Sequence, residues 1–362
     1  MQDREKPPRI GIYAIGSADV PSTRFRMIQY LPYLKKSGFD VRMYVLPSVN
    51  GGRLIKFLGL LLQALLRWFQ LGNIRKFDLV VIQKGLSEWR CRALFGRLVS
   101  FKKPYLYDVD DAVYATAPVQ LPVGLRWLQD FDEPLRLMRG SRHIIAGNNY
   151  LAAFIRNYNK RVSVIPTSVD TDMYKCEIAV TKNQPLVLGW SGSPGTNVYF
   201  NALIPALNQL AKRNRFLILL MSGSANHLDI DRLPEDFVEF VQWDKTNEIS
   251  VLKRMNIGLA PLNDDEWTRG KCGLKALLYM ALGIPVVGSP VGVNAEIIQD
   301  GINGFLAETE EEWIRKLEIL MKDDVMRARM GIAARGTVEK KYSIKENVLE
   351  LERIMRTALQ DG

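Results

Sequence analysis

The chain has 362 residues, of which 47% are hydrophobic and 24% charged, and a formal net charge of +10 at pH 7. These values are ordinary for a soluble globular protein with room for two domain cores, and the charge favours an anionic partner: nucleic acid, an acidic membrane surface or phosphate-bearing small molecules. Three widely spaced cysteines argue against a disulfide framework and a zinc site. The N-terminus lacks an apolar segment of signal-peptide length, so we expect a cytoplasmic protein.

Strands and helices alternate through the first part of the chain. The predicted strands span 9–16, 40–47, 77–85, 104–111, 143–148 and 162–170, and the predicted helices include 22–38, 53–71 and 149–157. This alternation is typical of a parallel sheet with helices on both faces. We expect a first domain over residues 1–174, with a C-terminal helix at 343–360 packed back on it.

The predicted helix 53–71 is more apolar than a surface helix needs to be. Charged residues such as Lys56 and Arg67 interrupt it too often for a membrane span. One interpretation is a helix that lies in an anionic membrane interface, with Trp68 and Phe69 on its apolar side and Lys56 and Arg67 near the lipid headgroups. The other interpretation is a core helix that packs over the sheet.

A looser segment, 171–185, is interpreted as a linker, after which the alternation restarts. The second domain is predicted over 185–341, with strands at 186–193, 216–224, 237–244, 257–262 and 285–290 and helices at 197–213, 247–255, 273–283, 309–322 and 324–340. The fold class is therefore α/β, with two doubly wound, Rossmann-like domains in tandem and a cleft between them. Ligands of such domains bind beyond the carboxyl ends of the strands.

The loop after the first strand lacks the G-x-G-x-x-G pattern of dinucleotide-binding proteins. It contains Ser17, and the helix that follows begins with Ser22, Arg24 and Arg26. Arginines at a helix start favour an anion, or grip a carboxylate or phosphate with two hydrogen bonds. The alternative is that Ser22 caps the helix and both arginines are solvated.

Three aspartates, Asp108, Asp110 and Asp111, lie within four residues at the end of the fourth strand. They repel one another unless they bind something, so one of them is a candidate general base or a residue that positions a hydroxyl group. A helix cap followed by a solvated turn is the alternative. A metal site of the D-x-D type ranks last, because the sequence offers no further carboxylate or histidine cluster nearby.

The loop "WSGSPGTN" follows the first strand of the second domain. Ser191, Gly192 and Ser193 can approach a phosphate closely at the head of the helix 197–213, through backbone N–H and hydroxyl groups. An ordinary turn built on glycine and proline is the alternative, and this motif alone is a weak signal.

Three cations, Arg269, Lys271 and Lys275, crowd the start of the predicted helix 273–283. A helix start already carries partial positive charge, so each added cation costs about 0.3–1 kcal/mol there. A bound phosphate pair, shared with the loop after the first strand of this domain, would more than offset that cost. The alternative is a basic surface patch.

The second half of the chain resembles the glycosyl transferases group 1, family 4 of the retaining glycosyltransferases, which have the GT-B fold. The similarity is specific at 261–307, which includes "GKCGLKALLYMALGIPVV", and at 143–174, which ends in "IPTSVDTDMY" where the family has a run like I-P-N-G-V-D. This resemblance implies transfer of a sugar from a nucleotide-diphosphate sugar with retention. It also implies a donor site in the second domain, an acceptor site in the first, and no metal or other cofactor.

Several positions depart from the family pattern. Lys271 and Tyr279 stand where the family has two glutamates, and "SGSPGTN" replaces its usual arginine and lysine. We expect Lys271 or Lys275 to hold the donor diphosphate and Tyr279 to contact the ribose. The family's first-domain histidine is also absent, and Asp110 or Asp111 falls near its place.

The resemblance assigns the remaining candidates. The nucleotide base is expected near Trp243 and Asp244, and Ser17, Arg24, Arg26 and Asp108 are candidates on the acceptor side. Together with the helix 53–71, the positive charge suggests a lipid-linked or polysaccharide acceptor at the inner face of a membrane.

Two other classes of function stay open. The missing glutamates favour a catalytically degenerate binding or regulatory protein on the same scaffold. A nucleic-acid-binding protein is least favoured, because the basic residues are spread along the chain and no recognition module is present.

Overall fold

The computed structural model describes residues 6–49, 51–176 and 185–360 and contains two parallel six-stranded sheets, each surrounded by helices. The chain divides into two compact units. Unit 1 comprises the described residues up to Thr167, the segment Gly270–Cys272 and residues from Asn347 onwards, and unit 2 comprises Ser168–Arg269 and Gly273–Glu346. The predicted α/β architecture of two doubly wound domains is confirmed, whereas most of the predicted linker 171–185 lies outside the described residues.

The sheet of unit 1 has the strand order β2-β1-β3-β4-β5-β6. Its strands are β1 (Arg9–Ala14), β2 (Asp40–Tyr44), β3 (Leu79–Gln83), β4 (Tyr105–Val109), β5 (His143–Ala146) and β6 (Val162–Val164). Strands β3 and β4 are buried along their whole length, as expected for a parallel sheet covered on both faces. The strand order reverses between β1 and β3, so the carboxyl ends of these strands are where a ligand is expected.

The helices of unit 1 are α1 (Pro21–Arg26), α2 (Leu31–Lys36), α3 (Arg53–Leu71), α4 (Arg92–Ser100), α5 (Glu133–Gly140) and α6 (Asn149–Ile155). The single helix predicted at 22–38 is wrong, because Pro32 cannot continue a helix from the preceding turn and instead occupies the first turn of α2. Since α1 begins at Pro21 and has Val20 at its cap position, Ser22 is not the helix cap. The helix predicted at 53–71 is confirmed as α3.

The sheet of unit 2 has the strand order β12-β11-β10-β7-β8-β9. Its strands are β7 (Leu186–Gly192), β8 (Phe216–Ser222), β9 (Val238–Gln242), β10 (Ile257–Ala260), β11 (Val286–Gly288) and β12 (Gly304–Leu306). The order reverses between β7 and β10, which places the expected ligand region of this unit beside the loop that follows β7. Its core includes Trp190, Phe200 and Trp313.

The helices that follow β7 are α7 (Asn197–Asn201), α8 (Ile204–Ala211), α9 (Glu248–Leu252), α10 (Glu266–Arg269), α11 (Leu274–Ala281), α12 (Asn294–Ile297), α13 (Glu310–Lys322), α14 (Asp324–Thr337) and α15 (Ile344–Gln360). The helix predicted at 197–213 is two helices, because Pro205 starts a new helical turn. Within unit 1, the last residues of α15 contact the sheet region, where Arg142 Nη1 donates to the Ala358 carbonyl oxygen at 2.7 Å.

The helix α3 turns polar side chains inward and apolar side chains outward. Gln63 donates to the Pro47 carbonyl oxygen at 2.6 Å, Gln70 donates to the Val45 carbonyl oxygen at 3.1 Å, and the fully buried Arg67 donates to the Ala14 carbonyl oxygen. The position predicted for Arg67, near lipid headgroups, is therefore wrong, because its guanidinium binds backbone carbonyl groups at the sheet.

The outward face of α3 consists of large apolar side chains that are between 36% and 70% exposed, namely Leu54, Ile55, Leu58, Leu61, Leu62, Leu65, Leu66, Trp68 and Phe69. By length and composition the helical stretch Arg53–Lys76 is apolar enough to cross a membrane, a test that buried helices of soluble proteins also pass. In this chain only 28% of the apolar 18-residue segment within this stretch is buried. The packing over the sheet accounts for one face of α3, and the other face is largely exposed, with Trp68 in contact with Arg97.

Candidate active site

The carboxylate of Asp108 is buried in an ion pair. Arg26 Nε donates to Asp108 Oδ2 at 3.2 Å, and Arg26 Nη1 donates to the Ile165 carbonyl oxygen at 2.6 Å. Burial, the largest single effect, acts to lower the pKa of Arg26, but the charge and hydrogen bond of Asp108, together with the charges of Cys272 and Asp110, raise the pKa above its ordinary value. The anion that Arg26 binds is therefore the carboxylate of Asp108 in the same chain. This ion pair joins α1 to the end of β4.

Asp110 lies beside the point where the strand order of unit 1 reverses. Ser22 Oγ donates to Asp110 Oδ2, and Gln83 Nε2 donates to Ser22 Oγ at 3.2 Å. The other carboxylate oxygen, Oδ1, is buried and accepts no hydrogen bond from the described residues. This arrangement fixes the carboxylate from one side, and Oδ1 on the other side faces the ammonium of Lys84 at 3.9 Å.

Lys84 binds the two neighbouring aspartates and was not predicted as a site residue. Its ammonium forms an ion pair with Asp111 and lies 3.9 Å from Asp110 Oδ1. Burial acts to lower the pKa of Lys84, but the two carboxylates raise it above its ordinary value. Its backbone φ of 66° is in the left-handed region, which is rare for a lysine and is concentrated at functional sites. The sequence signal was a lysine directly after the buried strand "LVVIQ".

The segment Gly270–Cys272 packs against the aspartate loop within unit 1. Asn148 Nδ2 donates to the carbonyl oxygens of Gly270 and Lys271 at 3.1 and 3.0 Å, and Cys272 Sγ donates to the Asp110 carbonyl oxygen at 3.1 Å. A Cβ at Gly270 would lie 2.7 Å from that of Ala112, so only glycine fits here. The backbone of Lys271 is thereby fixed beside Asp110, and Asn148 is a second residue that the sequence did not reveal.

Arg269 does not lie at the start of the helix that the sequence places at 273–283. It ends the short helix α10, whereas α11 begins at Leu274 after Gly273, which has a φ of 65°. Arg269 pairs with Asp264 through two hydrogen bonds of 2.6 and 2.9 Å. Of the three predicted cations, only Lys275 is in the first turn of α11, and the diphosphate contact of Arg269 stays a prediction.

Lys275 meets the loop after β7 inside unit 2. Its Nζ donates to Thr196 Oγ1 at 3.2 Å and lies 4.5 Å from the centre of the Trp190 ring. The same hydroxyl oxygen accepts the N–H of Ser193 at 3.1 Å, and Ser193 is exposed. The ammonium of Lys275 and the hydroxyl group of Thr196 thus lie beside the exposed Ser193 at the carboxyl end of β7. This arrangement is suited to binding a phosphate.

Tyr279 is fully buried beneath this loop. Its hydroxyl oxygen accepts the N–H of Ser191 at 2.7 Å, and burial raises the pKa of the phenol. Next to Ser191, a Cβ at Gly192 would lie 2.4 Å from the Trp190 ring, so glycine is required there. Tyr279 therefore holds the loop in place, and its contact with a ribose stays a prediction.

The predicted base region lies after β9, two strands from β7 in the same sheet. Trp243 Nε1 donates to Glu248 Oε1 at 3.1 Å, and the exposed Asp244 accepts the N–H of Thr246 at 2.8 Å. Glu248 Oε2 accepts the hydroxyl of Tyr174 at 2.8 Å. These contacts fix the loop at the same carboxyl edge as Ser193.

The remaining predicted residues lie around α1. Ser17 Oγ accepts the hydroxyl of Ser48 at 3.0 Å, and the guanidinium of Arg24 lies 4.8 Å from the centre of the Phe25 ring. Arg24 and Arg26 are both buried, so the alternative of two solvated arginines is wrong. Over residues 6–49, 51–176 and 185–360, no group of three His, Cys, Asp or Glu side chains is arranged to hold a metal ion.

Residues 186–323 match the family model described as glycosyl transferases group 1. Over 129 residues the chain is 31% identical to the N-acetyl-alpha-D-glucosaminyl L-malate synthase of Bacillus anthracis, an alignment that covers 35% of this chain and 32% of that protein. The chain thus spans about a third of the length of the curated relatives it matches. The resemblance to group 1 glycosyl transferases is confirmed over the matched segment, and the assignment to the retaining family 4 stays a prediction.

The whole chain is similar in fold to solved glycosyltransferase structures. A sucrose-phosphate synthase from Thermosynechococcus elongatus superposes with a TM-score of 0.75 at 15% identity, covering 98% of this chain and 100% of that one. The Anabaena protein HepE in complex with UDP and glucose superposes with a TM-score of 0.69 at 16% identity, covering 96% and 99%. The predicted GT-B architecture is confirmed by these comparisons.

Proposed function

We propose that this protein is a glycosyltransferase that moves a sugar from a nucleotide-diphosphate sugar to an acceptor. The observation that supports this most directly is the meeting of Lys275, Thr196 and Ser193 at the point where the strand order of unit 2 reverses. The segment that contains these residues is the one that matches the group 1 family model. In this proposal unit 2 binds the donor and unit 1 binds the acceptor.

The donor's diphosphate gains negative charge as the bond to the sugar breaks. Lys275 and the N–H groups at the start of α11 would stabilise that charge, and Lys271 would add a second ammonium three residues before Leu274. Lys275 already donates to Thr196 before the donor binds, so little reorganisation of this side chain is needed during the reaction. We propose that they replace a divalent metal and that transfer proceeds with retention, as the family resemblance implies.

The acceptor's hydroxyl group would bind at Asp110. Its oxygen Oδ1 would accept the hydroxyl hydrogen, while Ser22 and Lys84 keep the carboxylate in position. Asp111, paired with Lys84, is the second carboxylate available in this loop.

We propose a lipid-linked or polysaccharide intermediate as the acceptor, reached at the cytoplasmic face of a membrane. The apolar outward face of α3 supports this, because such a face is suited to lipid and costs free energy in water. Exposed cations stand at both ends of the helical stretch: Arg53 and Lys56 at the start, Arg75 and Lys76 at the end. They would bind anionic headgroups while the leucines enter the acyl region.

Calorimetric titration with UDP and other nucleoside diphosphates tests the donor site. We expect Lys275→Ala to weaken nucleotide binding by about tenfold, since one charge-assisted contact is lost. Lys212→Ala removes an exposed lysine of the same unit as a control and should leave the affinity unchanged. Equal affinity of the Lys275→Ala protein and the unaltered protein would contradict the proposed donor site.

A measurement of turnover distinguishes a glycosyltransferase from a binding or regulatory protein. With a nucleotide sugar as donor, we expect Asp110→Asn to lower donor consumption strongly while the nucleotide affinity stays the same, because Asp110 belongs to unit 1. A protein that binds nucleotide sugars but consumes none with any acceptor preparation would instead be a binding or regulatory protein on this scaffold.

A further inference from the structure

We propose that a basic cavity in unit 1 binds a phosphate-bearing anion at a site separate from the donor site of unit 2. The cavity has a volume of about 460 Å³, within the range of small-molecule sites. Its lining includes Lys102, Lys103, Arg139, Arg142, Lys160 and Arg161. These residues precede β4, β5 and β6, so the cavity opens at the amino edge of the sheet, opposite the edge that carries the aspartates.

The positive charge that lines this cavity exceeds the partial negative charge of the helix ends beside it. None of its lining residues is acidic. The helices α4, α5 and α6 end at this edge, and cations near a helix C-terminus are favourable because it carries roughly half a negative charge. Three such ends amount to about one and a half charges, against five positive side chains besides Arg161, which has an interaction partner of its own. The excess favours a bound polyvalent anion.

Several of the cations are held in place by the surrounding structure. Arg142 donates to the Ala358 carbonyl oxygen at 2.7 Å, Lys160 Nζ donates to the Arg156 carbonyl oxygen at 3.0 Å, and Arg139 lies 5.2 Å from the centre of the Tyr158 ring. Ordering these side chains in advance lowers the entropy cost of binding. Arginine and lysine in this setting are suited to phosphate oxygens, which accept several hydrogen bonds at once.

The position of the cavity indicates what carries the phosphate. Arg97 lies 4.2 Å from the centre of the Trp68 ring of α3, and Arg75 lies 5.4 Å from the Phe101 ring, directly before Lys102. The lining residue Lys102 therefore directly follows, in the sequence, a residue that contacts the segment after α3. Resting on the membrane contact proposed above, this favours the headgroup of an acidic lipid, and a soluble diphosphate compound is the other source of the same chemistry.

Inorganic pyrophosphate is the soluble probe, titrated by calorimetry in the presence of saturating UDP so that the donor site is occupied. We expect Lys103→Gln combined with Lys160→Gln to weaken pyrophosphate binding about tenfold or more. Lys35→Gln combined with Lys36→Gln removes the same charge from an exposed site at the end of α2 and serves as the control. UDP affinity, measured separately, should be unchanged in both double variants, which distinguishes a failure here from a failure of the proposed donor site.

Vesicle binding identifies the source of the phosphate. If vesicles of phosphatidylglycerol bind the cavity variant at least about tenfold more weakly than the control variant, with phosphatidylcholine vesicles unaffected, the lipid headgroup is the ligand. If only pyrophosphate binding falls, a soluble phosphate compound is the ligand. If the two double variants behave alike in both measurements, general surface charge explains the binding and the proposed site is wrong.

Discussion

Lys84 occupies a backbone conformation that costs free energy for a lysine, and its ammonium faces Asp110 and Asp111. A φ of 66° typically costs of order 1 kcal/mol for a residue with a side chain. A glycine at this position would avoid that cost but would leave two carboxylates without a cation. The proposed site therefore explains a lysine at position 84 better than the stability of the turn does.

We expect Lys84→Met to lower turnover by about tenfold or more while the affinity for nucleotide stays the same. Without the ammonium the two neighbouring carboxylates lose the cation that holds them in position. Lys84→Arg should restore part of the turnover. Nucleotide titration and a donor-consumption assay check this, and a turnover equal to that of the unaltered protein would assign Lys84 to the fold alone.

Glu133 is a buried carboxyl group whose ionisation opposes folding. Its Oε1 accepts the N–H of Leu86 at 3.0 Å, and burial raises its pKa to about 8. Between its ordinary pKa and 8 the unfolded chain loses this proton while the folded protein keeps it. The free energy of unfolding should therefore decrease by about 1.4 kcal/mol per pH unit across this window, from this residue alone, and level off above it.

Glu133→Gln should remove this dependence, since an amide oxygen can still accept the Leu86 N–H. The measurement is urea unfolding of both proteins between pH 5 and pH 8, and we expect the variant to gain stability relative to the unaltered protein as the pH rises. Glu311→Gln, at an exposed position of α13, is the matched control. A constant difference between Glu133→Gln and the unaltered protein would show that Glu133 is ionised in the folded state.

The sequence was sufficient to point to the aspartate loop and the loop after β7, because strand ends in an alternating pattern locate a ligand edge. It was insufficient for partners that are far apart in the chain. Asn148 Nδ2 donates to Cys272 Sγ, 124 residues away in the sequence, a contact that only the folded chain creates. Arg26 looked like an anion receptor for the same reason, because its carboxylate partner lies 82 residues away.

At the scale of elements, some long periodic segments were predicted closely, whereas several of the shortest were not predicted. The helices α3 and α13 have the predicted bounds to within a residue, whereas β12, α10 and α12 have only three or four residues and no readable period. For α3 the pattern of apolar residues located the helix correctly. It did not reveal which face lies against the sheet, because backbone carbonyl groups bind the polar side chains Gln63, Arg67 and Gln70.

The outward face of α3 should bind anionic membranes reversibly. We expect Trp68→Ser combined with Phe69→Ser to reduce co-sedimentation with phosphatidylglycerol vesicles by about tenfold, since two large side chains no longer enter the lipid. Withholding the anionic lipid should have a similar effect. As a control, Val325→Ser with Ile332→Ser removes two exposed apolar side chains of α14. A protein that never pellets with anionic vesicles would contradict the membrane contact.

At the scale of the whole molecule, we propose that positively charged side chains take the place of a metal ion. The formal net charge of the chain is +10. Lys84 lies beside the aspartate loop of unit 1, and Lys275 lies beside the loop after β7 in unit 2. We therefore expect donor consumption to be unchanged, within about twofold, after treatment with a chelator such as EDTA. Turnover that disappears in chelator and returns with manganese would show that Asp108 or its neighbours bind a metal after all.

Unit 1 is assembled from three separate stretches of the chain, and this has a consequence for how the protein is made. Synthesis runs from the N-terminus, so the six strands of the first sheet leave the ribosome long before Gly270–Cys272 and the residues from Asn347 onwards. Until then Asn148 lacks the carbonyl groups that it binds, and Arg142 lacks that of Ala358. The nascent first domain therefore stays incomplete while unit 2 is translated. The apolar face of α3 has already been made by then. We therefore expect the first domain to reach its final packing only after the last residues of the chain have been made.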